Sequence, residues 1–189
     1  MEADWAAEAG SDLPSIVVPW EGFLDLRHNR SAVEHLEEAV AHPALSEALL
    51  ALNSQGSFVF TSKGDVWELT RSEIDPDEFG TCHEEALEGF ASYIDILQRD
   101  HAKFNSFDFH ERWARALTTQ LRSIGCSNGR VDLVIRSASV DAFSGYGVTL
   151  YAAGCGADCT AAYRSWRAVL RAAVTATINL ESLPPVAGE

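Results

Sequence analysis

Residues 130–152 read RVDLVIRSASVDAFSGYGVTLYA. Val131, Leu133 and Ile135 alternate with Asp132, Val134 and Arg136, the period of two that sends successive side chains to opposite faces of a strand. After a break rich in small and polar residues, 146–152 is again β-rich, so the stretch predicts an antiparallel hairpin of 130–139 with 146–152. A similar pattern stands earlier. Phe58–Thr61 and Val66–Thr70 are β-rich runs separated by Ser62, Lys63, Gly64 and Asp65, whose glycine can take the left-handed conformation of a tight loop. This predicts a hairpin over 58–70, with Lys63, Gly64 and Asp65 at an exposed tip and Trp67 and Leu69 sharing the face turned to the helices. Strands in tight pairs disfavour a doubly wound parallel sheet. They predict the α+β class, with an antiparallel sheet of at least four strands in two hairpins, covered by helices.

Helices fill the intervals. Ser31 with Glu34 forms a capping box ahead of Val33, Leu36 and Val40, predicting a helix over 31–41. Pro43 suits a first helical position, and Leu45, Ala48, Leu49 and Leu52 continue at helical spacing to about Asn53. Leu87, Phe90, Ile94 and Leu97 make an apolar stripe for a helix over 83–98. Asp108 and Glu111 open another, with Trp113, Leu117, Leu121 and Ile124 inward and Gly125 at its end. The last, over 158–179, turns Tyr163, Trp166, Leu170 and Val174 to the core, and Trp113 and Trp166 should both be buried. Ile16–Val18 and Phe23–Leu26 read as short strands around the Pro19 turn. The predicted order is therefore α-α-β-β-α-α-β-β-α. One domain over 15–180 is expected, either undivided or as two αββα halves at about 43–98 and 107–179, between a flexible acidic tail at 1–14 and a second tail at 181–189.

Charge is distributed unevenly. The first hundred residues hold 21 Asp and Glu against 5 Lys and Arg, the remainder 7 against 9, and the formal net charge is −14. Nucleic acid and anionic membranes would meet a surface of their own sign, so neither is expected as a partner. A basic protein, or self-association as a homodimer, suits the charge better. The acidic N-terminus lacks the basic start and apolar core of a signal peptide, and no 18 apolar residues run together, which predicts a soluble, cytoplasmic chain. Four cysteines in such a chain read as thiols rather than as a disulfide framework. Twelve arginines to two lysines, with abundant alanine, suggest a GC-rich bacterial genome.

Three groups of residues are candidates for function. Glu73, Asp75, Asp77, Glu78, Glu84, Glu85 and Glu88 place seven carboxylates in sixteen residues. On the calcium-loop template Asp75, Asp77 and Gly80 fit positions one, three and six, but Phe79 and Ala86 fall where positions five and twelve require oxygen ligands, so a partner-binding face is the better reading. Cys155, between Gly154 and Gly156, and Cys159 stand at the start of the last helix, where a thiol feels the helix dipole. The spacing fits neither a phosphatase signature, a thioredoxin-like pair nor a dinucleotide loop. Arg164, Arg167 and Arg171 share one face of the last helix, and Arg112, Arg115 and Arg122 one face of another. Such stripes can bind an anion, pair with the acidic segments internally, or meet them across a dimer. Cys82 with His83 lacks the second closely spaced pair that a zinc site needs, His35 and His42 lie beside Glu34, Glu37 and Glu38 that read equally as solubilising charge, and no motif calls for a cofactor.

In size, acidity and alternation of helices with strand pairs the chain is similar to bacterial secretion-chaperone and toxin-immunity proteins, although it carries no motif of either. The expected function is a non-enzymatic interaction module of adaptor, chaperone or immunity type that engages a basic partner. The alternative is a small thiol-dependent or transferase-like enzyme using Cys155 or Cys159 with an arginine-lined anion site.

Overall fold

The computed structural model describes residues 1–181; most of the tail expected at 181–189 lies outside the described residues. Two long strands, β5 (Gly129–Val140) and β6 (Phe143–Gly156), pair antiparallel with Val140 opposite Phe143. The reversal is the two residues Asp141 and Ala142, with Asp141 at φ +52°, where the short polar side chain of Asp is better tolerated than most. On its other flank β6 pairs antiparallel with β4 (Glu88–Gln98), which pairs with β3 (Val59–Leu69). Two further strands, β1 (Glu2–Glu8) and β2 (Ile16–Val18), lie one after the other along the outer edge of β5, both parallel to it. The sheet is thus six-stranded and mixed, in the order β1-β5-β6-β4-β3 with β2 beside β5. An antiparallel-only sheet does not hold.

Several expected elements are corrected. Residues 58–70 form no hairpin: β3 is one strand, and Ser62 and Lys63 face the single residue Asp95 as a β-bulge. The glycine signal marked a bulge, not a turn. Because β3 pairs with β4, Trp67 and Leu69 point away from the helices, whereas Val66 packs into the helix-side core. Lys63 is exposed, but Gly64 and Asp65 are half-buried within the strand. The helix expected over 83–98 is mainly β4. This strand is covered on both faces, so apolar residues occur on both, and Phe90 and Ile94, four apart, share a face in a strand as they would in a helix.

The helix over 31–41 breaks at Leu36, which is extended (φ −90°, ψ 109°) between a 3-10 turn at Arg30–His35 and α1 (Glu37–Ala41). Its capping box does not form; the Ser31 hydroxyl donates to Asn29 instead. Val40, expected inward, is 63% exposed. Phe23–Leu26 is loop. Much of the acidic "tail" is β1, held less by apolar burial than by polar anchors: the Met1 ammonium donates to the Ile124 carbonyl at 2.9 Å, Arg122 to the Ala3 carbonyl at 2.7 Å, and Arg136 lies 2.8 Å from Glu8.

The helices α2 (Pro43–Leu52), α4 (Phe107–Arg122) and α5 (Cys159–Asn179) cover one face of the sheet, and a short α3 (His101–Phe104) precedes α4. Ser106 caps α4 and Asp158 caps α5, each accepting from the backbone N–H three residues on. Trp113 and Trp166 are fully buried between this layer and the sheet, and the Trp166 indole donates to Ser92 of β4 at 2.9 Å. Helix α5 lies directly on β6. A Cβ at Gly154 would stand 2.2 Å from the Trp166 backbone nitrogen, and one at Gly156 2.4 Å from that of Ala162. These two glycines serve close helix–sheet approach.

Candidate functional site

The face of the sheet opposite α2, α4 and α5 carries the acidic segment that stands out in the sequence. Between β3 and β4 the chain makes an excursion over 70–87 that folds back across this face. Three of its side chains, Ile74, Phe79 and Ala86, are buried against Cys155, with Leu69 and Ala153 beside them. The carboxylates between those anchors point outward, and all seven candidates from Glu73 to Glu88 are exposed.

Their hydrogen bonds brace the loop rather than neutralise it. Glu73 accepts from the Thr70 backbone at 2.8 Å and from its hydroxyl at 2.6 Å, which holds its carboxyl below the usual range. Asp75 accepts from the Asp77 backbone at 3.0 Å, and Glu85 from Asn128 at 2.8 Å. Glu84 is also held below its ordinary value, first by its own backbone N–H and then by Cys82. Only Glu78 meets a cation among the described residues: Arg130, at 3.0 Å, itself held by Asp132 at 2.6 Å. The result is a loop fixed by apolar anchors and local hydrogen bonds, with a largely uncompensated negative surface.

Next to the excursion the same sheet face presents an aromatic row. The rings of Trp67, Tyr93 and Tyr151 follow one another across β3, β4 and β6 with centroids 6.3 and 6.2 Å apart, and Trp67 is 37% exposed. Beneath them runs a polar chain. Thr149 donates to Asp95 at 2.6 Å and accepts from Arg136 at 3.2 Å, and Arg136 also reaches the Tyr151 hydroxyl at 3.4 Å and Glu8 at 2.8 Å. Burial pushes Asp95 above its ordinary value, against the opposing pull of Thr149 and Arg136. Sequence reading missed this row because Tyr93 and Asp95 were placed on a helix; their alternation with Ile94 and Ile96 was the available signal.

The other candidates separate. Cys155 is fully buried under the excursion, and burial, with Glu85 nearby, pushes its thiol up to about 11. A thiol so placed is protonated at neutral pH and closed to a substrate. Cys159 is exposed as the first residue of α5. Arg164, Arg167 and Arg171 lie exposed on α5, the side of the sheet opposite the acidic excursion, and no carboxylate within the described residues pairs with them. On α4, Arg115 pairs with Glu111 at 2.9 Å, Arg122 lies 3.6 Å from Asp4, and Arg112 donates to the Asp108 carbonyl. The stripes therefore do not receive the acids of 73–88. Among the described residues no group of three or more His, Cys, Asp or Glu is placed to hold a metal ion, and no helix is long and apolar enough to cross a membrane.

Comparison of the chain with protein-family models, with curated proteins and with solved structures finds no match.

Proposed function

We propose that this chain is a protein-interaction module whose acidic excursion, together with the neighbouring aromatic row, receives a basic partner. One observation carries the reading: of the seven exposed carboxylates between Glu73 and Glu88, only Glu78 has a cationic partner among the described residues, yet the loop is anchored by Ile74, Phe79 and Ala86. Repulsion within such a face is tolerated by a rigid scaffold and relieved by a cation from outside. Trp67 and Tyr93 add the residue types that dominate binding energy where they are desolvated at an interface. The sealed Cys155 removes one of the two thiols on which an enzymatic reading would rest.

The test is affinity capture from the native cell with the wild-type chain, with a Glu73→Gln, Asp75→Asn, Asp77→Asn, Glu84→Gln variant, and with an Arg164→Gln, Arg167→Gln, Arg171→Gln variant. The proposal expects a stoichiometric basic partner that the first variant loses and the second retains. Capture of a second copy of this chain, lost in both variants, would indicate self-association through opposite charges instead. Equal capture by the wild type and the acid-neutralised variant refutes the proposal.

A further inference from the structure

A cavity of about 200 Å³ opens at the outer edge of β3, lined by the bulged residues Ser62 and Lys63 of that strand and by residues of α1 and α2. That is room for several waters or one small organic molecule. Its inner wall is apolar, formed by Leu26, Leu36, Leu45 and Leu49. Gly64 belongs to the lining because the space at its Cα is tight: a Cβ there would stand 3.2 Å from the Tyr93 carbonyl oxygen and 3.7 Å from Leu45 Cδ1. The mouth differs in character, since Trp20, Glu38, Lys63, Asp65 and Tyr93 surround it.

We infer that this cavity binds a small primary amine with an apolar body, its ammonium held at the mouth by Glu38 and Asp65 beside the rings of Trp20 and Tyr93. Two carboxylates against one ammonium give the mouth a net negative charge, and Lys63 already shows where a cation settles, 5.1 Å from the Trp20 ring centroid. The negative field is also felt by the Tyr93 phenol, which is raised first by burial and then by Asp95, Asp65, Tyr151 and Glu38. Trp20 lines the cavity, so the resonance of its indole N–H should report an occupant beside the ring. The site lies away from the acidic excursion and shares only Tyr93 with the aromatic row beside it, so it does not depend on the partner reading.

The experiment follows the indole N–H resonance of Trp20, assigned with Trp20→Phe, while phenethylamine, phenethyl alcohol or phenylpropionate is added. Phenethylamine should shift it saturably with Kd of about 1 mM or tighter, the alcohol more weakly and the carboxylate least. Glu38→Gln should weaken amine binding, and Lys63→Gln strengthen it, each by about 1.5- to 5-fold, the range of an exposed ion pair. Both residues are exposed, so these variants should fold even if the cavity-filling Leu36→Trp, expected to abolish binding, does not. No saturable shift, a carboxylate that binds as well as the amine, or amine affinity unchanged in both charge variants overturns the inference.

Discussion

Replacing Gly154 by Ala isolates the contact on which the helix layer rests. The added Cβ would lie 2.2 Å from the Trp166 nitrogen and 2.6 Å from both the Trp166 Cα and the Ser165 carbonyl carbon. All three are main-chain atoms of α5, so no side chain can swing aside, and the helix must retreat by about 1 Å to restore an ordinary contact. That retreat loosens Ala162, Trp166, Val169, Leu170 and Ala173 together, all buried against the sheet, and strains the Trp166 to Ser92 hydrogen bond. Overpacking against backbone belongs at the upper end of its usual range, about 3 kcal/mol, which for a chain of this size lowers the melting temperature by roughly 6 to 12 °C. Urea unfolding followed by tryptophan fluorescence measures it, with Gly125→Ala as the control, because a Cβ at 125 meets nothing within 4 Å. If Gly154→Ala and Gly125→Ala unfold within about 0.5 kcal/mol of each other, the close seating of α5 on β6 is wrong.

Cys155 should resist a thiol reagent in the native protein, whereas exposed Cys82 and Cys159 react at once, and it should be modified only at the rate of unfolding; rapid native labelling of Cys155 would show that the excursion does not seal it. Asp95 is raised in the folded state above its ordinary 3.8, so the folded chain holds that proton more tightly, and the stability it confers at low pH is lost as pH rises through the folded value. Asp95→Asn, which can still accept from Thr149, should therefore melt higher than wild type at neutral pH and lose that advantage below the ordinary value, and a variant less stable at neutral pH would contradict this. Unpaired acids on the excursion repel one another, so the melting temperature should rise between about 0.01 and 0.15 M ionic strength, and a fall would mean that ion pairs dominate instead.

Legibility followed the covering of each element. The 130–152 hairpin was readable because one face of β5 is apolar and the other carries Arg130, Asp132 and Arg136, which leaves a clean alternation. Helices α2, α4 and α5 were readable for the same reason, being one-sided. Strand β4 was not, since layers on both faces erase its period, and its apolar run fits a helix equally well. The pairing of β3 with β4 spans the excursion, beyond the reach of any local turn signal. Strand β1 carries Glu2, Asp4 and Glu8, a composition that reads as solvated chain, and is held in the sheet by Arg122, Arg136 and the chain terminus. The acidic cluster was visible by counting; that its apolar anchors clamp it over Cys155 needed the sheet register. The aromatic row was lost with β4, and of the fates open to the last arginine stripe internal pairing with the acids does not form, because α5 lies on the far side of the sheet from them.

The most direct measurement places a photo-crosslinking amino acid at Asp77, on the excursion, and separately at Arg167, on the opposite surface, in the native cell. Irradiation should give one discrete adduct with a basic protein from position 77 that disappears at high salt, and none from position 167. A discrete adduct from 167 alone, or no adduct from 77, would contradict the claim that the acidic excursion is the partner-binding face.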